Sequence, residues 1–142
     1  MADYDDSNIF MKILRGELPA HRVYEDEETL AFMDIMPRAD GHTLVIPKTP
    51  ARNVFDASPE QLASVMATVQ RVAQGAMQAF GADGITVQQF NEDAGGQVIF
   101  HLHMHVLPRH AGVPLRPPGT QADNAALEMH AEKLRAALTA AA

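Results

Sequence analysis

Three of the seven histidines in this chain occupy alternate positions, His101, His103 and His105, and the residues between them are apolar. Because alternate side chains of a strand point to the same face, the spacing predicts three imidazoles on one face and an apolar face against the core. A neutral imidazole is a nucleophile near pH 7, since its unperturbed pKa is about 6.5. The pattern therefore favours nucleophilic catalysis, in which the middle ring attacks phosphorus while its neighbours orient it and handle protons.

Two other interpretations of the histidine spacing stay open. The rings could be structural, although each would then need hydrogen-bond partners for two nitrogens. Two of them could share a metal ion, but His101 and His105 lie about 13 Å apart in a regular strand and no carboxylate or cysteine is adjacent. The sequence contains no Cys, which excludes a cysteine nucleophile, a disulfide scaffold and a zinc site built on cysteines.

Composition restricts the partners of the chain. With 142 residues, 46% of them hydrophobic and 20% charged, the chain has the size and composition of one globular domain. Its net charge of −7 argues against binding to long nucleic acid or to an anionic membrane, because both need a basic surface. The acidic opening MADYDDSNIF does not resemble a signal peptide, and no apolar run is long enough to span a membrane. We expect a soluble, cytoplasmic protein.

The elements that must position the histidines predict an α+β fold. Ser58, Pro59 and Gln61 form the start of the clearest helix, which Gly81 ends, and Gly75 inside it has no explanation from sequence. Short turns between successive strands favour an antiparallel sheet. The predicted order is a helix capped by Ser7, strands at 22–24, 29–33 and 43–46, the helix at 59–80, strands at 85–90 and 100–107, and a last helix after Asp123.

The stretch from His101 to Leu107 resembles the motif of the histidine-triad (HIT) superfamily, in which three histidines alternate with apolar residues. Further segments resemble bacterial, Hint-like members in order and spacing: 16–20, 31–35, 41–48, Gly96-Gln97 and Pro108-Arg109. The resemblance covers residues 7–109, so we expect one HIT domain over 1–142 with a variable C-terminal tail at 110–142. It implies a five-stranded antiparallel sheet with two main helices plus a C-terminal helix, and a homodimer with a ten-stranded sheet.

The resemblance also implies a reaction. Family members transfer or hydrolyse nucleotidyl groups at the α-phosphate of a purine nucleoside phosphate derivative, and an adenosine 5′-phosphoramidase activity without a cofactor is expected here. His103 matches the nucleophile that forms a nucleotidyl-histidine intermediate. His105 matches the residue that contacts phosphate oxygens, and His101 the residue that positions the nucleophile. His42 matches a fourth histidine that supports the phosphate or the leaving-group proton.

The nucleotide-binding residues follow from the same resemblance. Asp34 matches the carboxylate that accepts hydrogen bonds from the ribose hydroxyls of a nucleotide such as AMP. Asn91 and Gln97 match side chains that bind the phosphate or the leaving group, and the backbone at Gly96 matches a close approach to phosphate. Five apolar residues match the base pocket: Ile9, Phe10, Ile13, Phe32 and Ile35.

The sequence departs from the family pattern at a metal site. Many bacterial members hold a structural zinc ion, and the corresponding positions here are Asn8, Met11, Pro50 and His101, so we expect no metal. Two alternative functions stay open: a dinucleoside polyphosphate hydrolase, and a nucleotide-binding adaptor without catalysis.

Overall fold

A five-stranded antiparallel sheet forms the centre of the fold, as predicted. The computed structural model describes residues 3–140. The strands lie in the spatial order β1-β2-β3-β5-β4, and each neighbouring pair is antiparallel. Their bounds are β1 Arg22–Glu25, β2 Thr29–Met33, β3 Thr43–Pro47, β4 Gly84–Gln88 and β5 Met104–Arg109.

Within residues 3–140, three α-helices accompany the sheet: α1 Ile9–Leu14, α2 Pro59–Phe80 and α3 Asn124–Ala140. The predicted capping box begins α2, since the Ser58 hydroxyl accepts from the Gln61 amide and the Gln61 side chain accepts from the Ser58 amide. The cap predicted at Ser7 is wrong: Asn8 caps α1 by accepting from the Met11 amide, at 2.9 Å.

The two faces of the sheet carry different layers. Helices α2 and α3 pack on one face, where Val45 and Val106 contact a core that includes Val72 and Leu134. Helix α1 packs on the other face, and its Phe10 and Ile13 join the cluster around Phe32 and Leu44. Because Leu44 lies opposite His105 in the β3–β5 register, the histidine side of β5 faces the α1 layer.

Close packing between α2 and α3 explains Gly75. A Cβ atom at this position would lie 2.8 Å from Cδ2 of Leu138 and 3.4 Å from Cδ1 of Leu134. The absence of a side chain at Gly75 therefore lets α3 approach α2. The residues that require glycine there, Leu134 and Leu138, lie more than fifty positions away in the sequence.

The strand predicted at 100–107 is wrong at both ends. Strand β5 begins at Met104, so His101 and His103 precede it. The Leu102 amide donates to the carbonyl of Ala51 at 2.8 Å, which binds this segment to the loop after β3 instead of to a strand. At the other end, Pro108 pairs with Ile85 on β4, in a part of β5 where β3 no longer pairs, so its missing N–H is tolerated.

The C-terminal tail turns back across the sheet before α3 begins. The Arg116 amide donates to the Arg38 carbonyl at 2.8 Å, and the Ala122 amide donates to the Ile35 carbonyl at 2.9 Å. These bonds fix the tail beside the segment between β2 and β3. Among residues 3–140, no helix has the length and apolarity that a membrane crossing requires.

Candidate active site

A cleft of about 870 Å³ opens on the α1 side of the sheet. His42, His103 and His105 line it, and most of its remaining wall is apolar. Seven of the residues predicted to bind a nucleotide line the same cleft: Ile9, Phe10, Ile13, Phe32, Asp34, Ile35 and Gly96. The structure therefore brings the predicted base pocket, the predicted ribose ligand and three of the four predicted catalytic histidines into one cavity.

The proton position on His103 is set by the main chain. Its Nδ1 lies 2.7 Å from the carbonyl oxygen of His101, which can only accept, so Nδ1 carries the proton and Nε2 carries the lone pair. Burial lowers the pKa of His103, although the His101 carbonyl and the Asp34 charge oppose that shift. The ring of Phe10 packs edge-on against it at a centroid distance of 4.9 Å. His103 is thus a neutral, oriented imidazole with the tautomer of a nucleophile.

His101 lies behind the cleft and is fully buried. Its Nε2 donates to the carbonyl oxygen of Pro47 at 2.9 Å, and its Nδ1 accepts from the hydroxyl of Tyr4 at 2.6 Å. The Asn8 amide in turn donates to the Tyr4 oxygen at 2.9 Å. Burial lowers the pKa of His101 to about 4, so the ring stays neutral at neutral pH. His101 is consequently placed to position the chain that holds His103.

His42 and His105 form a second chain of hydrogen bonds. The Arg38 amide donates to Nδ1 of His42 at 3.1 Å, so the proton of His42 is on Nε2. That Nε2 lies 2.9 Å from Nδ1 of His105, which must accept, and the proton of His105 is therefore on Nε2. Burial lowers the pKa of His42 to about 4 and that of His105 to about 3. His105 can therefore donate a hydrogen bond from Nε2 while it remains neutral.

One group of side chains within residues 3–140 has spacing suited to a metal ion. Ligand atoms of Asp34, His42 and His105 all lie within 4.8 Å of one another. Coordination through Nε2 of His42 would need the proton on Nδ1, where the Arg38 amide already donates. The group fits a hydrogen-bond chain better than a metal site, and Oδ2 of Asp34 lies 3.4 Å from Nε2 of His42.

The loop before the histidine motif uses its polar groups internally. The buried amide of Gln97 bonds to Asn53, to the Glu92 amide and to the Arg52 carbonyl. An Arg52–Glu92 ion pair at 2.8 Å braces the same loop. Asn91 accepts from the Val54 amide at 2.9 Å.

These contacts turn Asn91 and Gln97 away from the cleft. Neither side chain lines it, whereas Gly96 does, with a φ of 96°. The Gly96 amide donates to the Asp93 carbonyl at 3.0 Å. The structure thus gives Asn91 and Gln97 contacts that shape the loop.

Several residues at the site had no sequence signal. Tyr4 reaches His101 across 97 positions, and Phe90 packs on the His105 ring at a centroid distance of 5.5 Å. The tail also reaches the cleft, through Pro118, Gly119 and Gln121. Only tertiary packing brings these residues to the histidines.

A model of the HIT domain matches residues 15–112, a range that contains the histidine motif and all five strands. The chain belongs to the HIT domain family. This superfamily consists generally of nucleotide hydrolases, and its proteins bind nucleotides. The predicted family and fold are confirmed at this level.

Solved structures and a curated relative agree with this assignment. A HIT-like protein involved in cell-cycle regulation from Bartonella henselae is 51% identical, with a TM-score of 0.92 over 96% of this chain and 99% of that one. A zinc-bound histidine triad protein from Mycobacterium smegmatis is 39% identical, with a TM-score of 0.85 over 95% of each chain. Adenylylsulfatase HINT3 of Arabidopsis thaliana is 37% identical over 101 residues, which are 71% of this chain and 51% of that protein.

The four positions of this HIT protein that correspond to the zinc ligands of other members carry side chains that do not suit a zinc ion. Asn8 caps α1 and bonds to Tyr4, and both ring nitrogens of His101 are hydrogen bonded. Met11 offers only a thioether, and the side chain of Pro50 offers no donor atom. A hydrogen-bonded cluster of Tyr4, Asn8 and His101 therefore stands at these positions.

Proposed function

We propose that this HIT protein hydrolyses purine nucleoside phosphate derivatives at the α-phosphate through a nucleotidyl-histidine intermediate, with adenosine 5′-phosphoramidate as a substrate. The observation that carries the proposal is the 2.7 Å contact between Nδ1 of His103 and the His101 carbonyl. It leaves the lone pair on Nε2 of a neutral ring in the cleft.

In the first step Nε2 of His103 attacks the α-phosphorus. A P–N bond forms, the bond to the leaving group breaks, and its electron pair departs with the leaving atom; an amine takes its proton from solvent. The imidazolium formed on His103 keeps its Nδ1 proton directed at the His101 carbonyl, which stabilises the positive charge. Water then attacks phosphorus and releases one proton to solvent, the P–N electron pair returns to Nε2, and the nucleotide leaves.

The residues around His103 would bind the nucleotide. His105 donates from Nε2 to a phosphate oxygen, because His42 holds its other nitrogen. Asp34 accepts from the ribose hydroxyls through Oδ2, since its Oδ1 is engaged by the Met36 amide at 2.8 Å. The apolar wall around the buried Phe10 and Phe32 takes the base.

The first test incubates wild type and His103→Ala with adenosine 5′-phosphoramidate in EDTA. AMP release is followed by chromatography, and the quenched enzyme is digested to find a phosphorus-bearing peptide. We expect AMP and an adduct on His103 in wild type, and neither in His103→Ala with an unchanged circular dichroism spectrum. His130→Ala, on α3 and outside the residues that line the cleft, is the matched control.

Two alternatives give different outcomes in the same assay. A dinucleoside polyphosphate hydrolase would turn over diadenosine tetraphosphate in preference to the phosphoramidate. An adaptor would bind AMP and turn over neither substrate. The similarity to an adenylylsulfatase makes adenosine 5′-phosphosulfate the third substrate to include.

A homodimer with a ten-stranded sheet is also part of this proposal. Strands β1 and β4 are the edges of the sheet, and pairing of two copies along one edge would give ten strands. Light scattering of the purified protein measures the mass, and a monomer across the micromolar range contradicts this part of the proposal. The cytoplasmic location stays a prediction.

A further inference from the structure

A second, smaller cavity of about 130 Å³ adjoins the active-site cleft, and Arg38 lines both. The cavity lies between residues 38–40, the end of β5 and the tail, and Arg109 and Arg116 also line it. Asp40 pairs with Arg116, whereas no carboxylate of residues 3–140 lies within 4.0 Å of the charged groups of Arg38 or Arg109. Two positive charges around this cavity are therefore not neutralised by the protein.

The two arginines are held by different contacts: Nε of Arg38 donates to the Arg116 carbonyl at 2.9 Å, whereas Arg109 is held on β5. Arg109 and His105 point to the same face of β5, and their Cα atoms are about 13 Å apart. The Arg109 side chain turns back along the strand, because its Nη1 donates at 3.1 Å to the hydroxyl of Thr86, which lies opposite Leu107. The Arg38 charge also helps to lower the pKa of His42 and His105, so it acts within electrostatic reach of both rings.

The cleft has one charged residue of each sign. Among the described residues that line it, Arg38 is the one with a fixed positive charge and Asp34 the one with a carboxylate. Asp34 is the proposed ribose ligand, so within this lining Arg38 is the fixed positive charge available to an anionic part of the substrate. Guanidinium groups suit phosphate and sulfate oxygens, to which they donate paired hydrogen bonds.

We propose that Arg38 and Arg109 form an anion subsite for the outgoing part of the substrate, and that Arg38 makes the enzyme prefer leaving groups that depart as oxyanions. This inference rests on the proposed function. The P–N bond to His103 forms while the bond from phosphorus to the bridging oxygen breaks, and the electron pair stays on that oxygen. The sulfate or phosphate then leaves as an anion and needs no proton.

Arg38→Met tests the subsite, because it removes the charge and keeps the main-chain amide that holds His42. The substrates are adenosine 5′-phosphoramidate, adenosine 5′-phosphosulfate and diadenosine tetraphosphate. We expect the ratio of kcat/KM for either anionic leaving group to that for the phosphoramidate to fall roughly 10- to 100-fold. Arg38→Lys keeps the charge, provides a second variant if Arg38→Met does not fold, and should lose less.

Arg109→Met separates a near subsite from a distal one. Arg38 lines the active-site cleft as well as the smaller cavity, whereas Arg109 lines only the smaller cavity. The loss of Arg109 should therefore lower the ratio for diadenosine tetraphosphate and leave that for the phosphosulfate unchanged. Arg71→Met is the matched control: it removes one positive charge from α2, where the guanidinium lies 5.2 Å from the Tyr24 ring. The control should leave every ratio unchanged.

Other outcomes overturn the subsite. If Arg38→Met loses activity equally on all three substrates, Arg38 acts on the shared nucleotidyl part. If it loses activity on none of them, the substrate does not contact Arg38. Calorimetric binding of inorganic pyrophosphate separates this inference from the proposed function. If wild type turns over no substrate, pyrophosphate binding that weakens in Arg38→Met still supports the subsite, and binding that is absent or unchanged overturns it.

Discussion

Nε2 of His42 lies 2.9 Å from Nδ1 of His105, while the Arg38 amide donates to the other nitrogen of His42 at 3.1 Å. This chain begins at a main-chain N–H, which can only donate, and each following proton position is fixed in turn. His42 is therefore placed to orient the His105 ring and to keep its proton on Nε2, the nitrogen that does not contact His42.

Replacement of His42 tests this relay. We expect His42→Ala to lower kcat about 10- to 100-fold. Without His42, the His105 proton can lie on either ring nitrogen and the ring loses its orientation. His42→Gln should recover part of the loss, since its side-chain amide can donate to Nδ1 of His105. Nitrogen NMR of the His105 ring reports the tautomer, and an unchanged tautomer in His42→Ala contradicts the relay.

Asp34 should discriminate between sugars. Its carboxylate lies beside His42 at the cleft wall, and we expect Asp34→Asn to weaken kcat/KM for ribonucleotide substrates roughly tenfold, because a hydrogen bond to a charged acceptor contributes about 1.5–3 kcal/mol. A 2′,3′-dideoxy analogue lacks both hydroxyls and should be equally poor with wild type and the variant. The exposed Glu60 on α2 provides the control, Glu60→Gln. Equal losses on the ribose and dideoxy substrates would show that Asp34 acts through its contact with His42 and not by binding ribose.

The elements with local signals were predictable from the sequence. The capping box of Ser58 and Gln61 marks the start of α2, and short apolar runs divided by turns mark β1 to β3. The histidine spacing predicted the location of the cleft even though His101 and His103 lie outside β5. Both rings still pack against Phe10, which lines the cleft.

Features that depend on distant partners were not predictable. The Ala51 carbonyl decides where β5 begins, and the leucines of α3 explain Gly75. Nothing in the residue type of Gln97 indicates that its amide bonds to Asn53 and to the Arg52 carbonyl instead of to a ligand. Each case depends on a neighbour that is remote along the chain, and sequence patterns report only nearby ones.

Acid should destabilise the fold through its buried imidazoles. Burial lowers the pKa of His42 and His101 to about 4 and that of His105 to about 3, below the value near 6.5 of the unfolded chain. Between these values the unfolded chain binds protons that the folded chain excludes, so stability rises with pH. We expect the free energy of unfolding to be constant above pH 7, to fall below about pH 6.5, and to lose a few kcal/mol by about pH 4.

Urea unfolding at a series of pH values measures this dependence. His105→Gln keeps an acceptor for Nε2 of His42 and removes one titrating ring, so its stability should depend less steeply on pH between 4 and 6.5. His130→Gln, outside the cleft lining, controls for the substitution. Identical slopes in wild type and His105→Gln would contradict a lowered pKa of His105 in the folded protein.

The hydroxyl of Tyr4 connects the first described residues of the chain to His101, whose carbonyl accepts from His103, the proposed nucleophile. Tyr4→Phe leaves Nδ1 of the fully buried His101 without its donor at 2.6 Å, and an unsatisfied buried acceptor costs about 1–3 kcal/mol. We expect the free energy of unfolding to fall by about that amount. The His101 carbonyl should also hold His103 less firmly, so kcat should fall with little change in KM.

The matched control for this variant is Tyr24→Phe. It removes a hydroxyl that donates to Asp26 at 3.0 Å at the end of β1. If both variants lose the same stability and neither changes kcat, the bond from Tyr4 to His101 contributes to stability alone. A lower kcat in Tyr4→Phe alone supports a positioning role, because loss of stability by itself reduces the amount of folded enzyme and not its turnover. The two measurements must therefore be made on the same preparations, with the folded fraction determined by unfolding curves and kcat referred to that fraction.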